Sequence, residues 1–263
     1  MTPIIIAVVT VAAIGLIAGI ILTLASHFMA IKVDEKVVKV RECLPGANCG
    51  ACGYAGCDEY AEKVAGGFAK TTLCVPGGQK CAADIAEALG VEAGEVKELR
   101  GMVRCCGTTG KDSMVYDYQG VKTCAACHSF YQGRRSCSYG CLGYGDCVSV
   151  CKFNAISIEN GVAKIDPDLC TGCGACAKIC PKHLIYMIPK KSHICVACSS
   201  HNKGAQTRKL CTSGCIGCMK CQKTCKHGAI SVDQNLAVVD PSLCVNCGEC
   251  VEVCPVGCIK IFA

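Results

Sequence analysis

A string of small α+β domains wrapped around inorganic centres, held to a bilayer by one amino-terminal helix, is the fold class that three features of this sequence predict. The 263 residues include 30 Cys and no Trp. Residues 3–26 carry no charge. Residues 194–263 repeat residues 120–189 in register, without a gap.

The uncharged run comes first. PIIIAVVTVAAIGLIAGIILTLAS is longer than the roughly 20 apolar residues a bilayer core requires. A secretory signal would begin with a basic segment and carry a shorter apolar stretch, whereas MTP has no cation. The first cations after the run are Lys32, Lys36 and Lys39, so the positive-inside rule predicts a single pass through the cell (inner) membrane with the rest of the chain in the cytoplasm. Gly15 and Gly19 form a GxxxG step, a groove for a neighbouring helix.

The cysteines decide the chemistry. Paired oxidation would need each thiol to find one partner at a Cα separation of about 5.5 Å, which sets spaced x2–x2–x3 on one tight turn do not allow. Metal-bound thiolates in a reducing compartment fit better. Aromatic residues make up only 5% of the chain, so inorganic centres stand where an aromatic core would otherwise be needed.

The repeat divides the rest of the chain. At a constant interval of 74, Cys124 meets Cys198, Cys137 meets Cys211, Cys141 meets Cys215, Cys147 meets Cys221 and Cys151 meets Cys225. Cys170, Cys173, Cys176 and Cys180 likewise meet Cys244, Cys247, Cys250 and Cys254. Self-similarity of this kind marks duplicated structural units. Between the two cysteine runs of each unit, AISI and VAKID, or AISV and LAVVD, flank Asn160-Gly161 or Gln234-Asn235 and predict a β-hairpin. The expected divisions are an anchor over 1–29, a single-cluster domain over 30–103, and two units over 104–189 and 190–263.

CTGCGACAKICP at 170–181 and CVNCGECVEVCP at 244–255 match C-x2-C-x2-C-x3-C-P, the run of bacterial two-cluster ferredoxins, whose fourth thiolate serves the opposite [4Fe–4S] cluster. Zinc sites use separated CxxC pairs instead. The crossing rule assigns Cys170, Cys173 and Cys176 with Cys151, and Cys180 with Cys137, Cys141 and Cys147. The second unit assigns Cys244, Cys247 and Cys250 with Cys225, and Cys254 with Cys215, Cys218 and Cys221. Tyr144 stands where Cys218 would be, which is why Cys137 enters the first unit's set. An upstream Gly-rich turn offers Cys49, Cys52, Cys57 and Cys74 for a fifth cluster, flanked by Cys43 and Cys81 as packing residues.

Cys105, Cys106, Cys124, Cys127, Cys195, Cys198, Cys211 and Cys258 are then unassigned. Cys105, Cys124, Cys198 and Cys211 suffice for a sixth cluster, and the competing reading makes them small buried hydrophobes. Each [4Fe–4S] core with four thiolates carries about −2, so six would turn the formal +6 of the chain into about −6. The lysines then compensate cluster charge, and no nucleic-acid motif accompanies them. ADIAEALGVEAGEVKELRG, at 83–101, is expected to form helix, turn and helix.

In order, one spanning helix, LPGANCGACGYAGC…CVPGG, CSYGCLGYGDC and tandem cysteine runs resemble the B subunit of the Rnf complex, the ion-translocating ferredoxin:NAD oxidoreductase of bacterial membranes. The resemblance covers essentially the whole chain, and GANCGACGYAGC is its specific part. It implies an electron-input subunit that takes electrons from soluble reduced ferredoxin and relays them to membrane partner subunits. It also implies an elongated member, since shorter ones have a single ferredoxin unit. Lys152 and Lys226 stand where the family usually has Pro.

The chain shows no complete catalytic site of its own. GACGYAG lacks the strand-before, helix-after setting of a dinucleotide loop, so NAD reduction is expected on another subunit. The competing functions are a polyferredoxin subunit of another redox complex, which the spanning helix disfavours, and a cluster-based redox sensor, for which a long cluster chain is unsuited.

Overall fold

The computed structural model describes residues 2–28, 34–107 and 114–262, so Lys32 lies outside the described residues. Helix α1 (Thr2–Phe28) contains a stretch from Val8 to Ser26 that is long and apolar enough to cross a membrane and is not buried by the rest of the chain. At 1.5 Å per residue its 19 residues extend about 28 Å, close to the thickness of a bilayer core. The hydroxyl of Thr23 donates to the carbonyls of Gly19 and Ile20 at 3.0 and 2.9 Å, so this polar group is satisfied within the helix.

Three helices follow, α2 (Glu35–Cys43), α3 (Cys57–Ala65) and α4 (Gly78–Leu89). Asp34 caps α2 by accepting from the Lys36 amide at 2.9 Å, and Gly90 ends α4 in the left-handed conformation. Val40, Tyr60, Ala61, Val64 and Ile85 pack between them, fully buried. Burial of each larger side chain contributes about 1.5–3 kcal/mol. The tyrosine hydroxyl is not stranded in this core: it donates to the Lys70 carbonyl at 2.8 Å.

The helix expected after Gly90 does not form. Residues 91–98 have no regular structure, and Leu99–Val103 is strand β1. Its partner explains the difference: β1 pairs antiparallel with β4 (Ile185–Pro189), from Leu99 opposite Pro189 to Val103 opposite Ile185. A distant strand overrides the local helical pattern, and the hydrogen bonding carries residues 99–103 across the expected boundary at 103. Gly101 is needed there, because a Cβ would meet Ile165 Cδ1 at 2.9 Å.

Each repeat then builds the same parts. Short helices α5 (Cys124–His128) and α6 (Asp146–Ser149) precede the hairpin of β2 (Ile156–Glu159) and β3 (Val162–Ile165), and α7 (Ala175–Ile179) leads to β4. The second repeat opens with β5 (Ile194–Val196), continues through α8 (Gly204–Leu210) and α9 (Lys220–Thr224), and forms the hairpin β6 (Ile230–Asp233) and β7 (Leu236–Val239). It closes with α10 (Glu249–Glu252) and β8 (Ile259–Ile261), which pairs with β5. Both hairpins turn on two positive-φ residues, Asn160-Gly161 and Gln234-Asn235, matching the twist of the flanking strands.

One register differs from the gap-free pairing of the two repeats. Val103 faces Ile185 as Val196 faces Ile259; the second residues of these pairs lie 74 apart, the first 93 apart. The first repeat therefore holds an insertion after β1, and Cys105, not Cys124, is the structural twin of Cys198. Hydrogen bonds repeat the same equivalence: Arg104 N to Leu184 O at 2.8 Å matches Ala197 N to Cys258 O at 2.7 Å.

The cysteine turns are clamped under the hairpins by paired glycines. Gly143 has φ +75 and a Cβ there would lie 2.4 Å from the Gly161 carbonyl; at its twin Gly217, φ is +64 and the Asn235 carbonyl is 3.0 Å away. Alanine at either site adds backbone strain on the order of 1–3 kcal/mol, and the closer approach makes Gly143→Ala the more damaging. Thermal unfolding of the two variants should show the larger loss for Gly143→Ala; equal losses would contradict the tighter fit.

Candidate iron–sulfur centres

Turns that end in short helices aim the thiols inward. Cys151, Cys170, Cys173 and Cys176 line one cavity together with Phe153, Ile156 and Met187. Cys215, Cys218, Cys221 and Cys254 line another under β7 and β8. Cys250 is buried beside Cys244 and Cys247, with Cys225 packed against the same core. In the amino-terminal bundle, Cys57 and Cys74 are buried with Cys52 against them, and Cys49 neighbours both Cys52 and Cys74. Asn48 accepts from the Cys57 amide at 2.8 Å and Glu59 from the Ala55 amide at 2.8 Å, fixing that turn on α3.

Two cysteines exchange the places expected from the sequence. Cys124 lines the cavity of Cys141, Cys147 and Cys180, while Cys137 lines a different one with Cys105, Cys106, Cys198 and Cys211. The insertion supplies the reason. It carries α5, whose Cys124 reaches the gap left by Tyr144; the Asp146 carboxylate holds this end of α5 by accepting from the Cys124 and Ala125 amides at 2.8 and 3.0 Å. Cys137 is thereby free to face its own twin, Cys211.

The second cavity lies between the repeats and spans about 370 Å³, part of it open to solvent. Its thiols come as twins, Cys105 with Cys198 and Cys137 with Cys211. Matching bonds flank them: the Cys141 amide donates to Cys105 Sγ at 3.5 Å, and the Cys215 amide donates to Cys198 Sγ at 3.3 Å. Cys106 stands aside, its thiol donating to the Ser213 carbonyl at 3.2 Å.

The same twinning pairs two further cysteines with apolar residues: Cys258 occupies the place of Leu184 and Cys195 that of Met102, and all four are buried. Cys258 also lines the cavity of Cys215, Cys218, Cys221 and Cys254, its sulfur 3.7 Å from that of Cys254. Cys81 packs in the helical bundle and donates to Cys74, Cys43 donates to the Lys39 carbonyl at 3.2 Å, and Cys127 is wholly buried.

Burial makes thiolates costly at these places. It pushes Cys137 and Cys176 up to about 11 and Cys147 up to about 12, with neighbouring thiols adding to the rise. A cation bound among them removes that penalty and displaces the protons. The surroundings suit a sulfur-rich anionic centre further, since amides point at sulfur: Gly101 N to Cys170 at 3.3 Å, Leu184 N to Cys180 at 3.5 Å and Ser200 N to Cys198 at 3.5 Å. The donor set and its apolar walls thus fit iron–sulfur clusters.

Comparison with known proteins agrees. A family model for an Fe–S cluster matches residues 44–76, one for a 4Fe-4S binding domain matches 163–186 and one for a 4Fe-4S dicluster domain matches 214–258. The B subunit of the Na(+)-translocating ferredoxin:NAD(+) oxidoreductase complex of Acetobacterium woodii is 41% identical over 94% of this chain and 74% of its own. The B subunit of the ion-translocating oxidoreductase complex of Methanosarcina acetivorans is 38% identical over 87% of each chain. The B subunit of the proton-translocating ferredoxin:NAD(+) oxidoreductase complex of Clostridium ljungdahlii is 41% identical over 92% of this chain and 86% of its own. With similarity of that extent and cysteine sets suited to clusters, the chain belongs to the B-subunit family of Rnf-type ion-translocating oxidoreductase complexes, as their iron–sulfur electron-transfer subunit.

Proposed function

We propose that the chain is a six-cluster electron wire, taking electrons from reduced soluble ferredoxin at its carboxyl-terminal unit and delivering them to membrane subunits beside α1. The observation that carries this reading is that adjoining cysteine groups lie close to one another. Cys173 donates to Cys49, linking the amino-terminal group to the first repeat. Cys147 neighbours Cys176 and Cys180. The Cys141 amide reaches Cys105 and the Cys215 amide reaches Cys198, so the inter-repeat group joins the two units. Cys221 neighbours both Cys254 and Cys250.

The ligand sets of this reading are Cys49, Cys52, Cys57 and Cys74; Cys151, Cys170, Cys173 and Cys176; Cys124, Cys141, Cys147 and Cys180; and a bridging set of Cys105, Cys137, Cys198 and Cys211. Cys215, Cys218, Cys221 and Cys254, and Cys225, Cys244, Cys247 and Cys250, complete it. When bound, the clusters supply one-electron carriers; the protein lines them with apolar walls and neutralises part of their charge. The domains are an anchor, a single-cluster bundle and two ferredoxin-like modules, with β1 belonging to the first module. The positive charge following α1 favours placing the modules on the cytoplasmic side.

The distribution of charge supports this polarity. Residues 190–263 carry nine Lys and Arg against four Asp and Glu, while residues 30–103 carry nine against eleven. Cys218 and Cys247 are the exposed cysteines, Met219, Leu243 and Val245 lie open beside them, and Lys220 and Lys223 are exposed on α9. That combination suits an acidic carrier protein, steered by charge and seated on a small apolar contact. NAD reduction and ion movement belong to other subunits in this reading.

Anaerobically purified full-length protein should contain about 24 iron and about 24 sulfide per chain; iron for two clusters, or stoichiometric zinc, would refute the wire. Cys124→Ser should abolish the cluster of Cys141, Cys147 and Cys180, and Cys137→Ser the bridging one, each leaving the other's electron paramagnetic resonance signal. The converse pattern would return Cys137 to the first unit's pair. Reversing charge with Lys220→Glu and Lys223→Glu should slow reduction by ferredoxin roughly tenfold at low salt and much less at high salt, because exposed charges are screened over about 8 Å at physiological ionic strength. A rate indifferent to both changes would place docking elsewhere.

A further inference from the structure

An unusual cation stands beside the cavity between the repeats, behind two of its lining glycines. Arg135 is only 6% exposed, and its Nε and Nη2 are buried without a hydrogen-bond partner. None of the ion pairs among the described residues includes it. The nearby arginines are engaged otherwise: Arg104 donates to the Cys198 carbonyl at 3.3 Å and lies over the Tyr186 ring, and Arg134 lies over Tyr144. A buried guanidinium with unused donors is costly unless an anion meets it.

Its position says which anion. Around the site where a Gly107 Cβ would stand, Arg135 Nη1 is 3.4 Å away, Cys211 Sγ 3.7 Å and Cys105 Sγ 3.8 Å. Gly140 packs against the same side chain, since a Cβ there would meet Arg135 Cδ at 3.1 Å and Nη1 at 3.6 Å. Both glycines line the inter-repeat cavity. The sequence twin of Arg135 is Lys209, which is exposed. The cavity is therefore symmetric in its thiols and asymmetric in this charge.

We propose that Arg135 is the buried counter-charge of the bridging cluster and raises its reduction potential. The inference rests on the bridging set of Cys105, Cys137, Cys198 and Cys211. One electron entering there adds one negative charge without a proton, and Arg135 stabilises the more negative state more strongly. Its Nη1 side, which lies toward Cys211 and Cys105, carries the charge and the N–H donors that tune such potentials.

The test uses full-length holoprotein as wild type, Arg135→Leu, Arg135→Lys and Lys209→Leu. Redox titration is followed by electron paramagnetic resonance, with the bridging signal identified as the one lost in Cys137→Ser. Arg135→Leu is expected to lower the midpoint of that signal by at least a tenfold change in the reduced-to-oxidised ratio, about 59 mV for one electron. Arg135→Lys should restore most of the shift, and Lys209→Leu should move nothing. Loss of the bridging iron in Arg135→Leu with retention in Arg135→Lys also supports the counter-charge. Full iron with an unmoved midpoint overturns it, as does equal damage in the leucine and lysine variants, which would mark Arg135 as packing alone. Wild-type protein with iron for only five clusters would instead remove the bridging cluster, and this inference with it.

Discussion

The constraint on which the structure depends is the cost of placing many sulfur anions in small volumes. An unshielded buried charge loses its hydration, and apolar contact does not compensate for that loss. This chain surrounds each thiol group with thin apolar walls, such as Phe153, Ile156 and Met187 at one cavity, and with amides that point at sulfur. Without a bound cation, burial holds Cys137 and Cys147 protonated well above neutral pH. Filling the sites and completing the fold are therefore linked, because the same residues that line the cavities also form the repeat cores.

Duplication shaped the centre of the molecule. Twin strands β1 and β5 end just before Cys105 and Cys198, and twin turns carry Cys137 and Cys211, so the face between repeats gathers two thiols from each. That arrangement would leave the first repeat short by one, because Tyr144 replaces the counterpart of Cys218. The insertion after β1 offsets the deficit: it brings α5 and Cys124 to the cavity of Cys141, Cys147 and Cys180. Tyr144 itself stacks near Tyr118 and under Arg134, with its hydroxyl toward Cys127 of the inserted segment.

Much of this was legible in the sequence because cysteine spacing is short-range information. The runs at 170–181 and 244–255, the hairpins with Asn160-Gly161 and Gln234-Asn235, and the length of α1 depend on neighbours within a dozen or so residues. The features that were not legible depended on distant pairing. Leu99–Gly101 falls in an expected helix and becomes strand because Ile185–Pro189 offers an edge. The gap-free alignment set Cys124 beside Cys198, and only strand register reveals Cys105 as the twin. One signal was available: Tyr144 in a ligand position marked a vacancy that another cysteine had to fill. Arg135 gave none, since the doublet Arg134-Arg135 does not say which cation is buried, and Gly107 approaches Arg135 only in the folded chain.

The register also bears on how rigidly the groups are spaced. A carrier chain fails if one gap widens, and flexible linkers between modules would allow that. Here the first repeat takes β1 from upstream and the second takes β5 from the segment that leaves the first, so each linker is itself a paired strand. Arg100 ties the two sheets together by donating to the Ser192 and Phe262 carbonyls at 2.5 and 2.7 Å, from a side chain that is almost fully buried. Ser199 adds a bond to the Arg104 carbonyl at 3.1 Å across the inter-repeat cavity. The two units are thus joined by backbone pairing and buried polar contacts around the bridging thiols. Their separation is fixed by the fold of each repeat, not by a linker's length.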